Sequence, residues 1–295
     1  MAKQLLYCLL THNSPKQTLR LLQAIYNEHD QFIIHVDQAA SADYRALIAR
    51  ITQGLANLRV VSTRTCSWGG FSLVRATLDM HVVGMATNPN WSHALLLSAT
   101  HLPVWSAERI RRWLHDGVSV LGWYDSPPAG DAGWLEAAKS RIEWEFVEKQ
   151  GEGNIRGAYL GEPEFRYYKG PQWHALSREH IKYVLGRNQD SMFHRLSRSH
   201  VPDEAFFQTI LLNSDFRQTC RNEWATTDIW KPNSWNPEII DLEGYRDAIA
   251  DPKSPFVRKI AEDIADEDAM KTLIEEVRGK PIHRRLLADI ASSEV

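Results

Sequence analysis

The sequence predicts an α/β fold with a mainly parallel central sheet flanked by helices. Three observations predict it. Apolar runs of strand length alternate with amphipathic helical stretches from residue 4 to residue 121. The runs are apolar at consecutive positions, which suits strands buried on both faces. Their polar C-terminal ends resemble strand tips that feed a ligand-binding edge.

The elements follow in chain order. Residues 4–10 form the first strand, and Asn13-Ser14-Pro15 opens a helix carrying Leu19, Leu22, Ile25 and Tyr26. Phe32-Ile33-Ile34-His35-Val36-Asp37 is the second strand, followed by a helix with Tyr44, Leu47, Ile48 and Ile51. Leu58-Arg59-Val60-Val61 makes a short third strand. After Trp68-Gly69-Gly70, a helix runs through Leu73, Val74, Leu78 and Met80. His93 to Ser98 is the fourth strand, Ser106 caps a helix with Ile110, Trp113 and Leu114, and Val118 to Leu121 is the fifth strand. Residues 122–169 read as an irregular, substrate-facing insertion. A turn and strand follow over Lys169 to Leu176, with a helix from Ser177. Beyond Ser254 the pattern predicts helix to the end.

Bulk properties narrow the function. At 295 residues the chain can bury a large core, in one large domain or two small ones. A hydrophobic fraction of 43% and a charged fraction of 24% describe an ordinary soluble globular protein. The net charge of -3 gives no broad electrostatic footprint for nucleic acid, so no such partner is expected. Cys8, Cys66 and Cys220 are too scattered for a metal or redox pair, and Cys8 reads as a core residue. No run is long enough to span a bilayer, and Leu5 to Leu10 is too short for a signal-peptide core. A cytoplasmic location is the resulting expectation. No Gly-x-Gly-x-x-Gly or P-loop follows the first strand, which argues against a dinucleotide oxidoreductase or a P-loop ATPase.

The strand tips gather Thr11, His12 and Asn13 with His35, Asp37, Ser98 and His101. His35 and Asp37, two apart, point to one face. They suit a nucleotide contact better than a metal, because one ligand pair is too few. Trp68-Gly69-Gly70 ends a loop before a helix, where close backbone approach lets N–H groups meet an anion or hydroxyl. Eleven tryptophans are many, and Trp68, Trp173, Trp230 and Trp235 lie in loop-like sequence, where indoles offer flat surfaces to sugars. In Pro202-Asp203-Glu204, Asp203 suits a helix N-cap and Glu204 the first turn. The pair either caps a helix or supplies an ionised proton acceptor at a pocket rim. Arg258 and Lys259 read as cations at a helix start, either a solvated face or a diphosphate clamp.

Several of these segments occur in a recognisable order. They are Ile34-His35-Val36-Asp37, Trp68-Gly69-Gly70-Phe71-Ser72-Leu73-Val74, Leu96-Leu97-Ser98 with Pro103, Gly170 to Glu179, Pro202-Asp203-Glu204 and Phe256-Val257-Arg258-Lys259. Over about residues 4–260 the chain resembles the core-2/I-branching β-1,6-N-acetylglucosaminyltransferase family, which also includes peptide O-xylosyltransferases.

The resemblance implies a GT-A-like domain over 1–255, with a nucleotide-binding half about 1–122 and an acceptor-side half about 123–255. A C-terminal helical segment, 256–295, follows. It also implies inverting transfer from a UDP-sugar without a metal or other cofactor. Glu204 matches the general base, Arg258 and Lys259 the basic pair at the diphosphate, Asp37 the acid at the uridine end, and Trp230 an acceptor-site aromatic. Thr11, His12, Trp68, Gly69, Gly70, Ser98 and His101 complete the expected donor site, and Trp173 joins Trp230 on the acceptor side. The chain departs from the family pattern at Ala99 and His101, where a glycine and an acid are usual, and at Pro171, where a serine is usual. The missing membrane anchor and cysteine framework point to a bacterial-type member.

Expected partners are a nucleotide-sugar donor and a glycan or lipid-linked glycan acceptor. The basic segment Arg278 to Leu287, with an apolar side, is either a peripheral contact with the inner membrane face or a plain solvated helix end. Two other classes stay open. A glycoside hydrolase needs a second carboxylate, for which Glu143, Glu145 and Glu148 are candidates. A non-catalytic glycan-binding protein would use the loop tryptophans.

Overall fold

A computed structural model of the chain describes residues 3–124, 132–149, 153–231, 234 and 236–287. Trp235 lies outside them. The first half alternates as expected: β1 (Gln4–Thr11), α1 (Pro15–Ile25), β2 (Gln31–Val36), α2 (Ala42–Thr52), β3 (Leu58–Val61), α3 (Phe71–Thr87) and β4 (Trp91–Ser98). Then come β5 (Leu102–Pro103), α4 (Ala107–Trp113), β6 (Ser119–Val120), α5 (Ala132–Glu143), β7 (Trp144–Lys149) and β8 (Gly153–Tyr159). The remainder is β9 (Ala175–Ser177), α6 (Arg178–Leu185), α7 (Ser191–Leu196), α8 (Phe206–Leu212), β10 (Cys220–Arg221), β11 (Thr226–Asp228), α9 (Leu242–Ala250), β12 (Phe256–Arg258) and α10 (Glu267–Arg278).

The main sheet has the order β3-β2-β1-β4-β9-β6-β10. Strands β1 to β4 pair in parallel, while β9 runs antiparallel to β4 and β6. The parallel register sets Thr11 opposite Val36 and Leu10 opposite Ser98, so three strand tips finish on one edge. Alternation along β1 explains its unbroken apolar run. Leu5, Tyr7 and Leu9 enter one core with Phe32 and α1, and Leu6, Cys8 and Leu10 enter another with α3 and α8. Tyr7 stacks on Phe32 with ring centres 5.0 Å apart. Ser14 caps α1 by accepting from the Gln17 N–H, and Pro15 supplies its first turn.

Four expectations are corrected. Residues 122–169 are not wholly irregular, since they contain α5 and the β7–β8 hairpin. The chain after Ser254 is not continuous helix: β12 pairs with β11 and β5, and α10 starts only at Glu267. Arg258 therefore ends a strand, not a helix start. Pro202-Asp203-Glu204 forms a single 3-10 turn, and α8 begins at Phe206 behind Ala205, so Asp203 is not the helix cap.

The basic C-terminal segment packs partly against the protein. Ile282 and Leu286 are buried in the α1-side core, and Arg278 donates to the Gln23 and Tyr26 carbonyls. Two apolar residues of the segment thus face the protein, while Leu287 is exposed. Among the described residues no helix is long and apolar enough to cross a membrane.

Candidate active site

The sheet edge opens into a cavity of about 240 Å³ lined by Leu10, Thr11, His12, His35, Asp37, Cys66, Trp68 and Leu73. Four of the expected donor residues meet there: Thr11, His12, Asp37 and Trp68. The Asp37 carboxylate is held by backbone donors, accepting from Ala39 N–H at 2.7 Å and Cys66 N–H at 2.9 Å. Burial lowers His12 and His35 from their ordinary value, although Asp37 opposes the shift in both and Lys259 adds to it at His12. Both imidazoles are thus neutral near pH 7, able to hydrogen-bond a polar ligand. Among the described residues no group of three or more His, Cys, Asp or Glu is placed to hold a metal.

Trp68 is 78% exposed, with its ring edge-on to His200 at 5.8 Å. Gly69 adopts a left-handed φ of 72° that a side chain would disfavour, and its carbonyl accepts from Val201 N–H at 2.9 Å. That bond ties the tryptophan loop to the turn carrying Glu204. Gly70 lies against the Glu148 carboxylate, which accepts from the Ser67 and Ser72 N–H groups at 3.2 and 3.0 Å. The α3 N-terminus expected to meet a ligand anion is therefore capped by the protein's own acid.

Glu204 sits between two cations. Arg141 from α5 contacts its Oε2 at 2.8 Å and Lys169 contacts the same atom at 3.0 Å. Burial works against its charge, but Lys169 and Arg141 outweigh it and hold the carboxyl below its ordinary value. The side chain is 34% exposed, so it is an anion that a substrate can reach. Gly170 explains the turn after Lys169: its N–H donates to the Glu204 carbonyl at 2.7 Å, and an added Cβ would collide with the Gly122 carbonyl. Val201, just before the turn, takes φ 51°, a left-handed conformation costly for a β-branched residue. Sequence reasoning found Glu204 and missed Arg141. Only the fold brings α5 to the turn.

Arg258 donates to Asp228 Oδ1 at 2.9 Å, its guanidinium stands 5.0 Å from the Trp173 ring centre, and the Arg258–Lys259 peptide is cis. Lys259 lies close enough to His12 to oppose its protonation. Trp173 is only 6% exposed, so it is part of a wall and not an open platform. His101 stands behind it, fully buried, ring edge-on at 4.5 Å, with Nδ1 beside Ser98 and Nε2 without a partner among the described residues. Burial and the nearby Arg258 keep this imidazole neutral. His101 and Trp173 therefore shape the site from behind.

A second cavity, about 520 Å³, is lined by Trp105, Trp113, Tyr124, Trp224, Asp228 and Trp230 among others. Trp230 is 54% exposed at its rim. The sequence reading places Trp113 in a helix and Tyr124 within the 122–169 insertion, and singles out neither of them, nor Trp224, as a ligand surface. Tyr124 connects this cavity to the acid: its ring lies 5.5 Å from the Lys169 ammonium, and Glu204 and Asp228 both raise its pKa after burial does.

With this geometry in view, similarity to known proteins can be placed. A family model described as Core-2/I-Branching enzyme matches residues 5–248, and the chain belongs to that family. Xylosyltransferase 2 of Rattus norvegicus is 29% identical over 225 residues, covering 70% of this chain and 24% of that protein. Xylosyltransferase of Ciona intestinalis is 26% identical over 296 residues, covering 88% and 32%. The chain spans about a quarter to a third of the length of these curated relatives. An active-site mutant of LgtC aligns over 92% of this chain and 95% of its own at 12% identity and a TM-score of 0.43.

Proposed function

We propose that this chain is an inverting glycosyltransferase that moves N-acetylglucosamine or xylose from a UDP-sugar to a hydroxyl of a glycan, free or lipid-linked. One observation carries the reading: an ionised, partly exposed Glu204 is held by Arg141 and Lys169, and its charge reaches Tyr124 in the lining of the aromatic cavity. Family membership and the names of the xylosyltransferase relatives support the donor class.

In this mechanism the nucleotide occupies the strand tips beside Asp37 and His12, and the acceptor lies along Trp230 and Trp224. Glu204 takes the proton of the attacking hydroxyl as the oxygen bonds to the anomeric carbon. Arg141 and Lys169 keep Glu204 charged beforehand and orient it. Charge that grows on the departing UDP meets Lys259 and Arg258, which act in place of a divalent ion. Holding both substrates in line supplies much of the acceleration. Of Glu143, Glu145 and Glu148, the candidates for a hydrolase's second acid, Glu145 is committed to Arg198 and Glu148 to the α3 N-terminus. Free thiols at Cys8, Cys66 and Cys220, all raised by burial, suit a reducing cytoplasm.

UDP, UDP-xylose and UDP-N-acetylglucosamine should each stabilise the protein in thermal-shift titrations, by about 2.7 kcal/mol at a hundred times the dissociation constant. UDP release in the presence of acceptor should persist in EDTA. Loss of turnover that returns on adding Mn²⁺ or Mg²⁺ would contradict metal independence.

A further inference from the structure

The turn that presents Glu204 carries a second acid whose environment differs. Asp203 Oδ1 is enclosed and has no hydrogen-bond partner among the described residues, and neither has the enclosed hydroxyl of Tyr167 nearby. Unpaired buried polar atoms are costly, so two in one cluster call for a reason. The charged and titratable groups around Asp203 are Glu204 on the same turn, Arg141 from α5, and Lys169 and Tyr167 from the loop before β9. His200, just before the turn, faces Arg141 and Glu204.

Resting on the reading of Glu204 as base, we propose that Asp203 is a positioning residue that sets the basicity of Glu204 by gaining or losing its own proton. When Asp203 is protonated, Arg141 and Lys169 bear on Glu204 alone and hold it as a weak base. When Asp203 ionises, its charge draws on the same two cations and repels that of Glu204, whose proton affinity rises. Proton abstraction from the acceptor then speeds up. The proton leaves Asp203 for solvent, and no covalent bond changes. Tyr167 lies near enough to feel the Asp203 charge.

Burial and the Glu204 charge push Asp203 up to about 7, the range where this exchange would operate. The neighbours do not titrate there. Glu204 and His200 are lowered, while Tyr167 and Tyr124 are raised.

The test is the pH dependence of kcat for UDP release from UDP-xylose with water as acceptor. The wild type should gain about three- to tenfold between pH 5.5 and 8.5, through one ionisation near 7. D203N should show a flat profile at the low-pH rate, and D203E should restore the rise. A rise that survives unchanged in D203N, or a flat wild-type profile, overturns the proposal. Activity in E204Q would remove the base assignment itself and so separates the two failures. Should D203N fail to fold, ¹³C NMR of aspartate-labelled wild type reads the site directly. An enclosed carboxyl titrating near 7 supports the role, and all carboxyls titrating below 5 overturn it.

Discussion

Lys259 and Arg258 are adjacent cations with different work. Arg258 is paired with Asp228 in a poorly exposed setting, the two side chains being 18% and 13% exposed. Removing it would leave Asp228 with a burial-raised pKa and no partner. R258A should therefore cost about 2–4 kcal/mol in denaturant unfolding as well as activity. K259A should keep near-wild-type stability and weaken UDP binding about tenfold or more by calorimetry. Equal stability losses in both, with UDP binding intact, would contradict this division. The same logic explains why His101 tolerates a position where an acid is usual. An enclosed, neutral ring packs edge-on to Trp173 and needs no charge partner, whereas a carboxylate there would draw on the nearby Arg258.

The α5–β7–β8 insertion is fastened to the site at two points. Arg141 joins it to Glu204, and Glu148 joins it to the start of α3 beside Trp68. Gly70 as N-cap provides no side-chain acceptor, so Glu148 does the capping. E148A should destabilise the protein by about 1–2 kcal/mol and raise the KM for the UDP-sugar more than it lowers kcat. An unchanged melting temperature would show that the cap contributes nothing.

This insertion is also where the sequence was least legible. Strands β1, β2 and β4 announce themselves by apolar runs that enter two cores alternately. The significance of Arg141 and Glu148 exists only once distant backbone groups are brought to them. Asp203 was misread for a local reason: a proline and an acid before an apolar stretch look like a helix start, but a 3-10 turn intervenes. Glu204, Asp37, Arg258 and Lys259 stand out in the sequence as candidates because several motifs occur in order, which no single spacing would secure.

Across the molecule, buried histidines make stability depend on pH. His81 and His174 are lowered to about 3 by burial, and neither ring finds a hydrogen-bond partner among the described residues. Unfolded, both take protons near 6.5, so below that pH the unfolded chain binds more protons than the folded one. Stability is thus full above about 6.5 and falls as pH drops toward 3, by on the order of a few kcal/mol by pH 4. Urea melts from pH 8 to pH 4 check this, and a slope unchanged in H174F would contradict it. The pair packs around Phe207 of α8, so acid weakens the helix that follows the Glu204 turn. The whole account turns on Glu204. The most direct measurement is transfer by E204Q alongside its affinity for UDP-xylose or UDP-N-acetylglucosamine. The expected result is unchanged affinity with turnover reduced by about two to four decades. Turnover within a few-fold of wild type would contradict it.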